Sequence, residues 1–303
     1  MGMSDRKHQR RSGGLRRGWP AVITNALTVD VEDWYHATFL GVPESAWPDC
    51  ERRLAQSTRR LLDILDEARV RATFFVLGCV AGEMPDLVRS IAERGHEIGC
   101  HSYDHRQVFR QTQTEFAADV RRSLELIQGA SGVRVLGFRA PAYSIGPEQH
   151  WAFKVLADQG LLYDSSIMPA HTPLYGNSDA PRFLHRVANG RLLEIPMATV
   201  ALSRWRFPAA GGVYLRVLPL DAICWAIRRL NKVEGQPAVL YVHPWELDPQ
   251  PPPMGRNRLA RWSHTVNKGA MEGRLRRLLE RFSLAPIREV FHLNGSHSAG
   301  GGA

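Results

Sequence analysis

His101 and His105 stand four residues apart in the stretch His101-Ser-Tyr-Asp-His105. A His-x-x-x-His spacing can present two imidazoles on one side of a helical turn, which suits a divalent metal. With 12 histidines in 303 residues, roughly half a pair falls at that spacing by chance, so context must decide between a site and two surface histidines. The context is acidic. Asp30, Glu32 and Asp33 put three carboxylates into four residues, a cluster that is costly unless water, a cation or a shared proton relieves it. Two neutral imidazoles and one carboxylate leave coordination positions open, as a catalytic metal site requires.

Two further residues could take part in chemistry. Arg139 follows an apolar stretch and precedes Ala140-Pro141-Ala142-Tyr143. An arginine beside carboxylates can hold one of them in place, and even a purely structural ion pair would put it near the acids. His243 ends the run Val239–Val242 and is followed by Pro244-Trp245-Glu246. It could serve as a general acid, tuned by a carboxylate such as Asp164; the plainer alternative is a hydrogen-bonded interior histidine.

The elements that must position these residues alternate. Residues 25–31 are apolar and β-favouring and read as a buried strand. Residues 51–69 read as a helix, with Leu54, Leu61, Leu62 and Leu65 on one face. Strands are predicted over 71–80, 96–100, 135–139, 161–165, 191–197 and 237–243. Helices are predicted over 84–94, 112–128, 147–159, 219–231 and 271–282, with a Gly-rich loop around Gly211 and Gly212. About seven strand–helix alternations imply a mostly parallel sheet. No Gly-x-Gly-x-x-Gly follows the first strand, so a dinucleotide-binding sheet is not supported. In an α/β barrel the chemistry sits where the strands end, and Asp30–Asp33, His101–His105, Arg139–Tyr143, Asp164 and His243 all fall there.

Composition sets the outer bounds. The chain is 44% hydrophobic and 23% charged, which is globular. No apolar run nears the ~18 residues of a membrane span. The net charge is +9, but it is uneven. Residues 1–18 contribute +5 and residues 255–281 contribute +6, leaving −2 on the rest. That argues against a nucleic-acid groove through the body. The basic ends read as solvated surface, with phosphate or anionic lipid as the alternative. Cys50, Cys79, Cys100 and Cys224 form no Cys-x-x-Cys pair. Buried free thiols and a reducing compartment are therefore expected. The arginine pairs at 10–11 and 16–17 precede no apolar core of an export signal, so a cytoplasmic location is expected.

Five stretches in order carry a resemblance. They are Leu27-Thr-Val-Asp-Val-Glu-Asp33, His101-Ser-Tyr-Asp-His105, Phe138-Arg-Ala-Pro-Ala-Tyr143, Tyr163-Asp-Ser-Ser166 and Leu240-Tyr-Val-His243. Together they resemble the five motifs of the polysaccharide deacetylases of the NodB-homology type, carbohydrate esterase family four, over residues 26–243. The run from Asp30 to His36, Gly212-Val-Tyr-Leu-Arg216 and His243-Pro-Trp-Glu246 are similar to a narrower subgroup. That subgroup is linked to bacterial exopolysaccharide gene clusters, some of them exosortase-associated, and carries a C-terminal extension.

The resemblance implies a distorted parallel (β/α) barrel of about seven strands. It implies a catalytic domain over 21–246 and a helical extension over 247–292 packed on it; the basic stretch 1–20, rich in Gly, Ser and Arg with no hydrophobic period, and the tail 293–303 are expected to be disordered. It implies removal of an acetyl group from an N-acetylated amino sugar. Asp30 would be the base, oriented by Arg139. His101, His105 and either Glu32 or Asp33 would hold a divalent cation, expected to be Zn²⁺. Where the usual motif has two adjacent aspartates, Val31 follows Asp30. Strand alternation favours Glu32, and a turn at Glu32 would favour Asp33. The backbone N–H of Ala142 or Tyr143 would meet the oxyanion, and His243, tuned by Asp164, would protonate the leaving amine. Trp34, Tyr35, Trp205 and Trp245 could stack on sugar rings, with core packing as the alternative. The expected partner is an oligosaccharide or polysaccharide, with a lipid-linked or nucleotide-linked precursor as its form and no nucleic acid. The basic helix 271–282 suits peripheral contact with the inner membrane face. The rival readings are an O-acetyl esterase or small-amide hydrolase on the same scaffold, and a silent sugar-binding protein.

Overall fold

The computed structural model describes residues 22–172, 176–203, 205–209, 211–252 and 258–293. The tails expected at 1–20 and, beyond Leu293, at 294–303 lie outside these residues.

The strands are β1 (Asn25–Val31), β2 (Thr73–Val76), β3 (Glu97–Cys100), β4 (Gly137–Phe138), β5 (Tyr163–Asp164), β6 (His185–Val187), β7 (Leu192–Glu194), β8 (Thr199–Leu202), β9 (Trp205–Pro208), β10 (Val239–Val242) and β11 (Leu284–Ala285). Among the described residues, nine of them form one sheet in the order β10-β1-β2-β3-β4-β5-β7-β6, with β11 also paired to β1. Every pair is parallel except β6–β7. The sheet curls into a half-barrel. Its open side is crossed by the chain after β7, where the Met197 amide donates to Ile167 O (3.0 Å) and the Ala198 amide to Val239 O (3.1 Å). β8 and β9 make a separate antiparallel hairpin.

Alternation along the strands sorts side chains into two layers. On β1, Leu27, Val29 and Val31 pack outward into the large core beneath the helices. Ala26 faces the barrel interior with Phe75, Tyr163, Met197, Val239 and Tyr241. Thr28, Asp30 and Glu32 continue that inward line toward the strand end. The outer core is covered by helices such as Leu54–Ala68, Gln113–Ser131 and Leu220–Lys232, each with one buried stripe. Thr112 caps the second of these with a reciprocal Glu115 bond, the two-way cap that satisfies exposed amides at a helix start.

Two expectations change. The stretch 71–80 is a strand only at Thr73–Val76, and the chain then turns into the helix Gly78–Glu83. Gly78 allows this, because a Cβ there would lie 2.8 Å from the Tyr103 ring. The loop expected at Gly211 and Gly212 is instead the start of a helix, Gly212–Val217.

Candidate active site

The C-terminal ends of β1, β3, β4 and β10 converge. Asp30 comes from β1 and Glu32 from the residue just after it, His101 and His105 from the loop after β3, Arg139 from just past β4, and His243 from just past β10. All are nearly or fully buried except His243, which is half-buried.

The two histidines do not share a helical turn. Residues 101–107 form a loop in which Ser102 and His105 take positive φ angles of 71° and 65°. The loop is pinned from three sides. The Gly78 and Cys79 amides donate to Ser102 O and Tyr103 O, each at 2.9 Å. Asp119 accepts from Ser102 Oγ and from the Tyr103 amide, each at 3.1 Å. Burial, then the nearby Asp104 charge, lifts the Asp119 pKa to about 7, although Ser102 and Tyr103 pull it back. The turn at Gly78 thus serves the site directly.

His101 Nδ1 lies 2.8 Å from the Arg139 carbonyl. A carbonyl only accepts, so Nδ1 carries the proton and Nε2 presents its lone pair. That lone pair points toward Glu32 Oε2 at 3.9 Å, and His105 Nε2 lies 2.6 Å from the same oxygen. The ligand atoms of Glu32, His101 and His105 all fall within 4.8 Å of one another. A carboxylate with two imidazoles is a donor set that fits a divalent cation of the borderline class. Burial raises the Glu32 pKa, but the charge and hydrogen bond of His105 and the charge of His243 outweigh it and hold the carboxyl well below its ordinary value.

Asp33 faces away from this group. Its carboxylate accepts from the backbone amides of Trp34 (2.9 Å), Arg53 (2.8 Å) and Leu54 (2.9 Å). Of the two acids left open by the sequence, Glu32 meets the histidines and Asp33 caps a turn. His36, which sequence reasoning passed over, accepts the Asp33 amide on Nδ1 at 3.0 Å. It stacks on His105 at 5.9 Å between centroids. Burial, then the His105 charge, drives its pKa down to about 3, so it is neutral.

Arg139 is fully buried and every polar arm is engaged. Nη1 donates to Asp30 Oδ1 (2.8 Å) and Thr28 Oγ1 (2.7 Å), Nε to Ser165 O (3.0 Å) and Nη2 to Ser165 Oγ (3.0 Å). Its guanidinium lies 4.3 Å from the Phe75 ring centroid, a cation–π contact. Phe75 fits because Gly99 stands opposite it on β3: a Cβ there would lie 2.5 Å from the ring. Asp30 is therefore held by Oδ1, while Oδ2 points into the site 3.9 Å from His243 Nε2.

His243 Nε2 also lies 3.6 Å from Glu32 Oε1. Its Nδ1 meets Glu246 Oε2 at 3.1 Å, not Asp164. Asp164 instead accepts from the Ser166 amide (3.1 Å) and Ser166 Oγ (2.6 Å), buried beside Glu194, and that burial raises its pKa. Glu246 in turn accepts from Arg216 Nε at 2.8 Å, both side chains fully buried. Burial disfavours charge on His243, but the Glu246 hydrogen bond and the charges of Glu32, Glu246 and Asp30 push its pKa up to about 9. Burial likewise raises Glu246, but Arg216 and His243 bring it down to about 2.

The aromatic residues expected at the sugar are mostly elsewhere. Trp34 is only 3% exposed and donates to Glu51 O. Trp245 is 2% exposed, stacks on His243 at 5.1 Å and donates to Glu32 Oε1 at 3.3 Å. Buried rings offer no free face for a sugar. Tyr35 is also buried, and Trp205 lies on the β8–β9 hairpin. Tyr143 does border open space. It belongs to a turn in which Ala142 and Tyr143 both have φ near 51°, a strained conformation for residues other than glycine. A cleft of about 170 Å³ opens beside this turn, lined by Phe109, Ala142, Tyr143, Ile167 and Met168 among others. The Tyr143 amide donates to Ala140 O at 3.1 Å. Phe109, 58% exposed at the cleft, carried no signal in the sequence.

The chain is similar to known proteins. Residues 45–158 match the polysaccharide deacetylase family, and residues 165–292 match a domain of unknown function, DUF3473. A peptidoglycan deacetylase-like protein of Gibberella zeae is 26% identical over 186 residues, 61% of this chain and 51% of that protein. A peptidoglycan-N-acetylglucosamine deacetylase of Bacillus cereus is 33% identical over 96 residues, 31% of this chain and 35% of that protein. The chain thus spans about half or less of these curated relatives. A crystal structure of a candidate polysaccharide deacetylase from Mycobacterium smegmatis aligns with a TM-score of 0.60 and 25% identity, covering 91% of this chain and 92% of that one.

Proposed function

We propose, from the match of residues 45–158 to the polysaccharide deacetylase family and of residues 165–292 to DUF3473, that this chain is a deacetylase of the carbohydrate esterase four kind, a metal-dependent hydrolase that removes the acetyl group from an N-acetylated amino sugar. The observation that carries this reading is the buried Glu32–His101–His105 group standing beside the Arg139-held Asp30 and the half-buried His243. A divalent cation held by Glu32, His101 and His105 would polarise the acetyl carbonyl and acidify a water beside it.

The chain's own groups do the rest. Arg139 fixes Asp30 Oδ1, so the free Oδ2 takes the water's proton. The Ala142 amide meets the developing oxyanion, because the Tyr143 amide is already spent on Ala140. His243 Nε2 gives its proton to the departing nitrogen, which leaves poorly as an anion. The sugar lies in the cleft beside the 141–143 turn, with Phe109 as its exposed aromatic platform in place of Trp34 and Trp245.

The setting we put forward is bacterial exopolysaccharide assembly on the cytoplasmic side. The Gly212–Arg216 and His243–Glu246 stretches and four unpaired cysteines support it. No helix among the described residues is long and apolar enough to cross a membrane. Acetate release from matched N-acetyl and O-acetyl oligosaccharides, with and without a chelator, tests the activity. Chelator-sensitive release from the N-acetyl series supports it; release from O-acetyl sugars alone points to the esterase alternative, and none from either removes the proposal.

A further inference from the structure

The family boundaries divide the site. His101, His105 and Arg139 lie within the polysaccharide deacetylase match, whereas Arg216, His243 and Glu246 lie within the domain of unknown function. These last three form a chain of contacts. Arg216 Nε donates to Glu246 Oε1 at 2.8 Å, and Glu246 Oε2 receives both the His243 amide and His243 Nδ1 at 3.1 Å. Arg216 is itself locked by backbone carbonyls of the same region, with Nη1 2.7 Å from Ser263 O and 3.1 Å from Val266 O. Asn267 Nδ2 closes the loop by donating to Arg216 O at 2.9 Å. Pro244 starts the short turn that brings Glu246 back under His243.

We infer that the DUF3473 region exists to supply and mount the proton donor of this active site, with Glu246 and Arg216 as positioning residues for His243. The inference rests on the deacetylase reading above. A donor must present Nε2–H to the departing nitrogen, and an imidazole free to rotate about χ2 presents it only part of the time. Glu246 removes that freedom. It accepts from Nδ1, so Nε2 is left facing Asp30 and Glu32. Arg216 fixes Glu246 by its other oxygen, so the carboxylate cannot swing away. The same segment steadies the metal side, since Trp245 of the turn donates to Glu32 Oε1. Thus Arg216 and the His243–Glu246 turn are part of the active centre, not an appendage to it.

A positioning role for a proton donor has a signature that a merely structural ion pair lacks. It matters when the leaving group needs a proton and not when it leaves unaided. The test measures acetate release from an N-acetylglucosamine oligosaccharide and from 4-nitrophenyl acetate. The proteins are the full chain, E246Q, the double variant R216M/E246Q, H243A and H243A/E246Q. R216M/E246Q avoids leaving one buried charge unpaired, which would destabilise the fold by itself.

E246Q and R216M/E246Q should each lose at least about tenfold more amide kcat than ester kcat, part of the ~10²–10⁴-fold that general acid catalysis supplies. KM for the oligosaccharide should stay within about twofold. In an H243A background E246Q should cost nothing further, because both act through one group. Equal losses on amide and ester, or additive losses with H243A, would overturn the inference. Should the wild-type chain release no acetate from any N-acetyl sugar, the deacetylase reading fails, and the mount is read instead by NMR. The His243 Nδ1–H resonance should lie far downfield in the wild type and move upfield in R216M/E246Q; no movement overturns the mount as well.

Discussion

At the scale of single residues, Asp33 satisfies three backbone amides where the chain leaves β1 and enters the helix at Leu54, while Glu32 beside it meets two imidazoles. Their variants should separate accordingly. Asp33→Ala strips a charged acceptor from three donors and should cost about 2–4 kcal/mol of stability, read as a lower Tm with metal content intact in the folded fraction. Glu32→Gln should keep Tm within a few degrees and lower metal affinity by more than the ~10–100-fold that loss of an outer-shell partner costs. If the two variants exchange phenotypes, Asp33 is the ligand. Lys268 offers a pH test. It is buried 4.9 Å from the Trp245 ring centroid, and its Nζ has no hydrogen bond among the described residues. Burial, then Arg216, lowers its pKa from 10.5 to about 7. The folded chain therefore binds that proton more weakly than the unfolded chain. Stability associated with Lys268 is present above 10.5, declines as pH falls through that window and is gone below about 7. Lys268→Met should flatten stability against pH between 7 and 10.5 and raise Tm at pH 7. Denaturant titrations at several pH values decide it, and an unchanged slope would contradict the burial argument.

At the scale of elements, close approaches do much of the positioning. Gly211 takes φ +144° and a Cβ on it would lie 2.0 Å from the Tyr241 ring. Tyr241 packs edge-on against both Tyr143 (5.4 Å) and His243 (5.5 Å). Gly211→Ala should therefore displace that ring, cost about 1–3 kcal/mol and lower acetate release together with Tm; an unaltered Tm would show that the ring yields freely. Such contacts mark the limit of what the sequence reveals. β1 was legible at both ends, Asn25–Val31, because apolar alternation and the acids bound it. The gathering of Asp30, His101, Arg139 and His243 at strand ends was legible from strand–helix alternation. The local backbone was not. A four-residue histidine spacing reads as a helical turn, yet it is a loop held by Gly78, Cys79 and Asp119, whose contacts are distant in sequence. Glu246 was in view only as part of the His243–Glu246 stretch. Asp164 looked the better partner for His243 because strand-end placement does not report which way a side chain turns.

At the scale of the molecule, the half-barrel depends on its last residues. β11 pairs with β1, and Met271, Leu275, Leu278 and Leu279 of the helix Lys268–Arg281 are buried in the outer core. Each such side chain contributes about 1.5–3 kcal/mol, and four of them rival a typical net stability of ~5–15 kcal/mol. A chain ending at Leu247 should therefore fail to show a cooperative thermal transition; a sharp transition at the full-length Tm would contradict this. The same helix commits Arg276 to Glu67 and Glu272, and Arg281 to Asp221. Arg274 bonds the carbonyls of Leu215 and Leu218. Less charge is left for the lipid surface that its basic sequence suggests. We propose that Glu32, His101 and His105 hold a cation on which deacetylation depends. The most direct measurement is metal content by elemental analysis, paired with acetate release from N-acetylglucosamine oligosaccharides, for the wild type and Glu32→Gln. The wild type should hold about one divalent cation per chain and release acetate in a chelator-sensitive way, with both lost in Glu32→Gln. Wild-type turnover without metal, or full activity in Glu32→Gln, would contradict it.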